Sequence, residues 1–396
     1  MFISERIKAM QESPIRKLVP LSVDAKKKGK KVYHLNIGQP DIKTPSEFFD
    51  AVRNFDEEVI AYTFSQGIPE LIESFARYYQ EHGMPYGEED ILITNGGSEA
   101  ILFALIAICD YGDDILIPEP FYTNYNGFSS SAGVNVIPIT TVAENGFDLP
   151  SFEEMEKLIT NKTKAILLSN PGNPTGKVYT KDEVHRIKDL AIKHNLYIVA
   201  DEVYREFVYD GLEFVSFGQL EDIQDRVIIT DSISKRYSAC GARIGCVASK
   251  NKEIIWQILK LCQSRLCVAT LEQVGAAKLV DVSKQYMEAA FEEYDKRRMI
   301  VYNALQEMDG VLCKLPKGAF YVTAKLPVDN AETFARWLLT DFDVEGETVM
   351  VAPAEGFYAT KNMGRDEVRI SYVLKEEDLV KAMNVIKEGL IAYNKL

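Results

Sequence analysis

The chain has 396 residues, with 45 basic against 59 acidic side chains and a formal net charge of -14. A surface so acidic repels phosphate backbones and anionic membranes, so neither nucleic acid nor a membrane is an expected partner. With 46% hydrophobic and 26% charged residues it reads as a folded globular chain, long for one core and short for three, without repeats or low complexity.

The N-terminal stretch Met1-Phe-Ile-Ser-Glu-Arg-Ile-Lys8 lacks the apolar centre and small-residue cleavage site of a signal peptide, which makes the cytoplasm the expected location. Six cysteines without a CxxC pair and four histidines without ligand-spaced partners point to reduced thiols and no metal. Residues 1–30 read as a helix and an arm, and the basic run Lys26 to Lys31 as a solvated turn, since no aromatic residue interleaves it. A strand-like Val32-Tyr-His-Leu-Asn36 follows, then a Gly38-Gln-Pro-Asp41 loop that turns the chain.

From 46 to 285, short apolar runs alternate with amphipathic helices. The runs are Ile91 to Thr94, Ile115 to Ile117, Val134 to Ile139, Ala165 to Leu168, Leu196 to Ala200, Val227 to Thr230 and Cys246 to Ala248. Such alternation predicts an α/β fold: a mostly parallel sheet with helices on both faces. The longest apolar run, Ala100 to Cys109, is about half a membrane span. Thr180-Lys-Asp-Glu183 is a capping box, opening a helix with Val184, Ile187 and Leu190 on one face. Residues 286–396 read as a smaller α+β domain. It holds a long charged helix from Ser283 to Met308, strand-like Ala319 to Thr323, Val349 to Val351 and Val368 to Val373, and a terminal helix from Lys375. Residues 1–45 are too few for a core of their own and are expected to pack on it. A cleft between the domains is the expected binding place.

Several loops carry chemistry. Gly96, Gly97 and Ser98 stand between a strand and an apolar helix, where backbone donors and a hydroxyl suit an anion; a plain strand-to-helix turn with a capping serine has the same composition. Tyr122 follows the next strand and suits either stacking on a flat ligand or core packing. Ser169-Asn-Pro-Gly-Asn-Pro-Thr-Gly176 fixes an irregular loop that makes Asn173 a pointed hydrogen-bond donor. Asp201 ends an apolar strand, with Tyr204 three residues on; it suits either a carboxylate against a pyridine nitrogen or a helix N-cap. In Ser232-Ile-Ser-Lys-Arg-Tyr-Ser-Ala-Cys-Gly-Ala-Arg-Ile-Gly245, Lys235 leaves a buried strand end on a turn of small residues, with hydroxyls before it and Arg243 after it. A lysine able to form an imine beside an anion-binding arginine suits a phosphorylated aldehyde, pyridoxal 5'-phosphate.

Together with Asn36-Ile-Gly-Gln-Pro-Asp41, Tyr62, Gly67-Ile-Pro-Glu-Leu71 and Val368-Arg-Ile370, these motifs resemble, in order and spacing over nearly the whole length, the class I aminotransferases of pyridoxal-phosphate fold type I, the aspartate aminotransferase-like family. The resemblance implies a Lys235 aldimine, Asp201 against the pyridinium, Asn173 and Tyr204 on the ring's phenolic oxygen, and Tyr122 stacked on the ring. It implies Gly97, Ser98, Ser232 and Arg243 on the phosphate, next to Gly96, with Tyr62 reaching across from a second subunit of a homodimer. Arg369 would grip the substrate carboxylate, and Gly38 would lie where substrate binding closes the small domain.

The expected activity is ping-pong transfer of an amino group between an L-amino acid and a 2-oxo acid, of the aspartate, aromatic or neutral class. A carbon-sulfur β-lyase on the same fold is the alternative, and a pyridoxal-phosphate-sensing regulator a remoter one, since it needs a basic DNA-binding domain. The sequence offers no secure second carboxylate clamp. Arg265 lies in the region, roughly two positions off in spacing, of the arginine that in aspartate-type members reaches a distal carboxylate from the partner subunit, and it reads instead as a solvated helix-end residue; Ile15, Leu18, Phe121 and Tyr122 are expected along an apolar side of the cleft.

Overall fold

The computed structural model describes residues 1–8 and 10–396 and contains twelve strands. In chain order they are β1 (Lys31–His34), β2 (Ile91–Thr94), β3 (Asp114–Glu119), β4 (Asn135–Thr140), β5 (Thr163–Ser169), β6 (Tyr197–Asp201), β7 (Val227–Ser232), β8 (Gly245–Ala248), β9 (Tyr321–Lys325), β10 (Glu347–Met350), β11 (Ala352–Pro353) and β12 (Glu367–Ser371). The seven runs expected between 46 and 285 form one sheet, in the order β2-β8-β7-β6-β5-β3-β4. Only β8 runs against its neighbours, so the sheet is mostly parallel.

Its strands are apolar on both sides because helices cover both faces. One face packs Ile166, Leu168, Ile198, Ala200 and Ile229 with Leu71 and Phe75 of helix Pro69–Glu81 and with Val184, Ile187 and Leu190 of helix Lys181–His194. The capping box that opens the latter helix is present: Glu183 N–H donates to the Thr180 hydroxyl, and the Glu183 carboxylate accepts from Thr180 N–H. The other face packs Ile115, Ile117, Leu167, Val199 and Val247 with helices Gly97–Ile108 and Lys252–Arg265.

The remaining strands make two small sheets. β1 lies parallel to β10, and β12 is flanked antiparallel by β9 and β11. A third core joins Leu18, Val32 and Leu35 from the start of the chain to Phe320, Val322, Val349, Ile370, Leu379 and Ile386 from its end. That shared core explains why the short N-terminal segment is ordered against residues more than 300 positions away. Among the described residues no helix is long and apolar enough to cross a membrane.

Candidate active site

Sheet register brings the loops together. Thr94 of β2 and Ser232 of β7 both stand opposite Gly245 of β8, so the turn after β2, the end of β7 and the loop before β8 meet. Ser169 of β5 likewise stands opposite Asp201 of β6. The result is a cavity of about 490 Å³ at the carboxyl edge of the sheet, where ligands of open α/β sheets bind.

Gly97, Ser98, Ser232 and Arg243 line one end. Helix Gly97–Ile108 is capped by Gly96 at φ +76°, with no side-chain cap bond, so Ser98 is not the capping residue that the plain-turn reading requires. Gly96 itself lies under Arg243: a Cβ there would run into the guanidinium, so it supports that side chain and does not line the cavity. The Ser232 hydroxyl donates to Ile244 O (2.9 Å) and accepts from Ser234 N–H (3.1 Å). The Ser234 hydroxyl, 2.7 Å from it, is a further lining group that the sequence reading missed.

Asp201 closes the floor. No helix follows it, and Val203 N–H approaches Oδ1 at 3.4 Å in a plain turn, so the helix-cap reading is not realised. Oδ2 accepts from the buried Tyr125 hydroxyl at 2.8 Å, a partner that no sequence motif marks. Burial pushes the Asp201 carboxyl up to about 6, with the Tyr125 and Val203 bonds pulling the other way. Tyr122 lines the cavity at a right angle to Tyr125, its hydroxyl accepting from Asn124 Nδ2 at 2.8 Å.

Lys235 sits on a short helix, Ile233–Arg236, where the sequence led us to expect a turn; the Ser232 cap supplies the reason. Its Nζ donates to Gly38 O at 2.7 Å and lies 3.9 Å from Cys240 Sγ. Desolvation disfavours the ammonium, but Tyr321, Cys240 and Tyr122 nearby outweigh it, so the pKa lies above the ordinary lysine value. Gly38 is packed so closely on the Tyr321 ring that no Cβ fits there. Tyr321, on β9, also missed from sequence, shares a 2.8 Å hydrogen bond with the Tyr204 hydroxyl.

Arg369 reaches the same cavity from β12. It is buried, Nη1 donates to Asn173 Oδ1 at 3.0 Å, Nη2 donates to Asn36 O, and Nε has no partner. Among the described residues no carboxylate pairs with it, and burial lowers its pKa below the ordinary arginine value. Because arginine only donates, it fixes the Asn173 amide with Nδ2 left as a donor.

Tyr62, whose expected place is in a second subunit's site, is 81% exposed and lies outside this chain's own cavity. Part of the expected apolar side is elsewhere. Leu18 and Phe121 are consumed by the cores, leaving Ile15 and Tyr122 of the expected apolar side, with Ile37 in addition. Arg265 is not solvated: it pairs with Glu99 (3.3 Å), donates to Ile93 O (3.1 Å) and stays out of the cavity. Arg16, exposed, also lines the cavity, with no side-chain hydrogen bond or ion pair among the described residues.

A half-buried lysine, a buried carboxylate and a buried arginine without an ionic partner among the described residues thus gather at the carboxyl edge of the seven-stranded sheet, and the sheet has the aspartate aminotransferase fold. A solved aspartate aminotransferase of Thermotoga maritima superposes with a TM-score of 0.89 at 31% identity, covering 98% of this chain and 100% of that one. The family profile "Aminotransferase class I and II" matches residues 30–386. An aspartate aminotransferase of Pyrococcus horikoshii is 33% identical over 98% of this chain and 97% of its own. Aromatic-amino-acid aminotransferase 2 of Thermococcus litoralis is 32% identical over 98% of both chains. The chain belongs to the class I and II aminotransferases, and it is an aminotransferase enzyme.

Proposed function

We propose that this aminotransferase uses pyridoxal 5'-phosphate, with Lys235 as its imine-forming and proton-moving residue, to exchange an amino group between an L-amino acid and a 2-oxo acid in ping-pong fashion. The observation that carries the reading is Arg369, a buried guanidinium without an anionic partner in the cavity that also holds Lys235 and Asp201. A buried charge left unpaired is costly, so the site is built to receive a carboxylate from outside. A planar guanidinium meets one through parallel charge-assisted bonds, each worth about 1.5 to 3 kcal/mol.

The lining fits the cofactor. Gly97, Ser98, Ser232 and Arg243 would hold its phosphate, Asp201 its ring nitrogen, Asn173 Nδ2 and Tyr204 its phenolic oxygen, and Tyr122 one ring face. Once bound, pyridoxal phosphate supplies an aldehyde for amines and a ring that withdraws electrons from the substrate α-carbon. Lys235 Nζ would take the α-proton and return it to the cofactor carbon on the other side of the amine nitrogen, about two atoms away. The Gly38 carbonyl accepts from Nζ on the cavity side, and the Tyr125 hydroxyl, donating to Oδ2, favours the ionised form of Asp201 against the opposing effect of burial. Residues 286–396, with 1–45 packed on them, form the small domain. It brings Arg369, Tyr321, Arg16 and Gly38 against Lys235 and Asp201 of the large one; the β1–β10 pairing and the shared core support this division.

The outer cleft offers both Arg16 and the apolar Ile15 and Ile37, which supports substrates of the aspartate and aromatic class alike. In a donor screen against 2-oxoglutarate, Arg16→Ala should lower kcat/KM for aspartate about fivefold and leave phenylalanine nearly unchanged, since an exposed ion pair is worth about 1 kcal/mol. An equal fall for both donors would remove Arg16 from substrate recognition. Pyruvate release from cystathionine without keto acid transfer would favour the β-lyase.

Homodimerisation is part of the proposal. Val59, Ile60, Tyr62 and Phe64 are 71%, 63%, 81% and 61% exposed on one irregular segment, an apolar stretch that a partner subunit would cover. If Tyr62 completes the partner's phosphate site, mixing Tyr62→Ala subunits with Lys235→Ala subunits restores one working site per hybrid dimer. No recovery on mixing, or a fully active monomer in sedimentation, rules the shared site out.

A further inference from the structure

Behind the cavity floor lies a second set of charges that the chemistry above does not use. Its centre is Asp231, wholly buried. Asp231 accepts from Arg205 Nη1 at 2.8 Å, from Arg236 Nη1 at 2.9 Å on both oxygens, from the Tyr79 hydroxyl at 3.2 Å and from Ser232 N–H at 2.7 Å. Arg205 also donates to Glu202 at 3.0 Å, and Glu202 accepts from the Ser216 hydroxyl and from Phe217 N–H at 3.1 Å. The Arg236 guanidinium lies 4.1 Å from the centre of the Tyr78 ring, whose hydroxyl donates to Glu206, and that carboxylate faces His82 Nε2 at 3.1 Å.

Each core member is one peptide step from a cavity residue. Glu202 follows Asp201, Arg205 follows Tyr204, Asp231 precedes Ser232 and Arg236 follows Lys235. The cavity residues point one way and the charges the other, so the turn after β6, the end of β7 and the Lys235 helix are tied together from behind. Fold stability is a weak reason for such a cluster, because apolar residues of similar volume often hold a core as well as buried ion pairs do. Directional bonds, by contrast, fix position.

We propose that Asp231, bridging Arg205 and Arg236, is the positioning device of this active site: it sets where Lys235 Nζ stands relative to Asp201 and Tyr204. The proposal rests on the assignment of Lys235 and Asp201 given above. None of the three lines the cavity, so they are positioning residues, acting through the backbone of their neighbours.

Arg236→Met tests this, because it removes one arm of the bridge while keeping an apolar side chain of similar length. The readouts are circular dichroism and Tm for folding, the Kd of pyridoxal phosphate, kcat and KM for the amino donor, and the pH midpoint of the borohydride-sensitive visible band. A displacement of the order of 1 Å at the reacting groups costs about 100-fold in rate, so the folded variant should lose kcat on that scale, with KM little changed. The midpoint of the visible band should move as well, since that band reports the imine at Lys235, and Arg236→Lys should recover part of both. A folded Arg236→Met protein with wild-type kcat and midpoint overturns the proposal and leaves the cluster a packing feature. Should Arg236→Met not fold, Asp231→Leu/Arg236→Met removes the pair together and leaves Arg205 matched by Glu202. A folded double variant with low kcat and a moved midpoint supports positioning, and one with wild-type values overturns it. A wild-type protein that forms no such band overturns instead the site reading underneath.

Discussion

Lys235→Ala protein is expected to fold and to lose transamination by about 10,000-fold or more, the upper range for a residue that serves as general base and carries the covalent link. Folding should survive because among the described residues Nζ makes no ion pair; its closest partner is the Gly38 carbonyl at 2.7 Å. Pyridoxal phosphate should still bind, held by groups that do not include the lysine, but borohydride should no longer fix it to the chain. In the wild-type protein the pyridoxyl label should map to Lys235 alone. A label on another lysine, or activity of Lys235→Ala within tenfold of wild type, would mean that a different amine does the chemistry.

The second large effect concerns Asp201. A carboxylate about 4 Å from a cationic nitrogen at an effective dielectric of about 20 is worth about 4 kcal/mol, roughly a thousandfold in rate. Asp201→Asn should therefore slow α-proton exchange about a thousandfold, while its amide oxygen still accepts from Tyr125. In the cofactor-free protein the same substitution should stabilise. The folded pKa of about 6 lies above the ordinary 3.8, so the native state holds a proton that the unfolded chain has released. Stability consequently falls as pH rises from about 4 to 6, and by pH 7 the loss is about 3 kcal/mol at about 1.4 kcal/mol per pH unit. Asparagine removes that loss, so the apoprotein Tm at pH 7 should rise while the rate with cofactor falls. A lower apoprotein Tm with unchanged exchange would make Asp201 a structural residue.

These two expectations pull in opposite directions for a physical reason. A carboxylate buried without a cation weakens the apoprotein, and the same burial strengthens its attraction for a cationic ring once one is present. Arg369 repeats the pattern with the sign reversed, and in the proposed function the anion serves the ring and the cation the substrate.

Much of this was legible in the chain. The α/β alternation gave the seven strands because a sheet buried on both faces needs continuous apolar runs, and those runs are local. The Thr180 box and the helix after it were equally local, since capping is decided within four residues. The loops bearing Gly97, Asn173, Asp201 and Lys235 stand at strand ends, where Gly, Pro and polar residues break the apolar pattern, so their chemistry could be read in order.

What the sequence left open depended on partners far along the chain. Tyr125 on Asp201, Tyr321 on Tyr204 and Arg16 at the mouth carry no motif; each acquires its place through contacts across tens to hundreds of positions. Leu18 and Phe121 were apolar residues near the right loops, but the cores took them, because the sequence gives an apolar residue's affinity for burial and not its direction. Arg265 was read as solvated until helix packing set it beside Glu99. The sequence by itself determined the family and the groups that its strand-end loops bring to the cleft, Ser98, Asn173, Asp201, Ser232, Lys235 and Arg243. Only the tertiary structure decided how they are held, because sheet register and the Asp231 charge cluster fix distances that no spacing along the chain encodes.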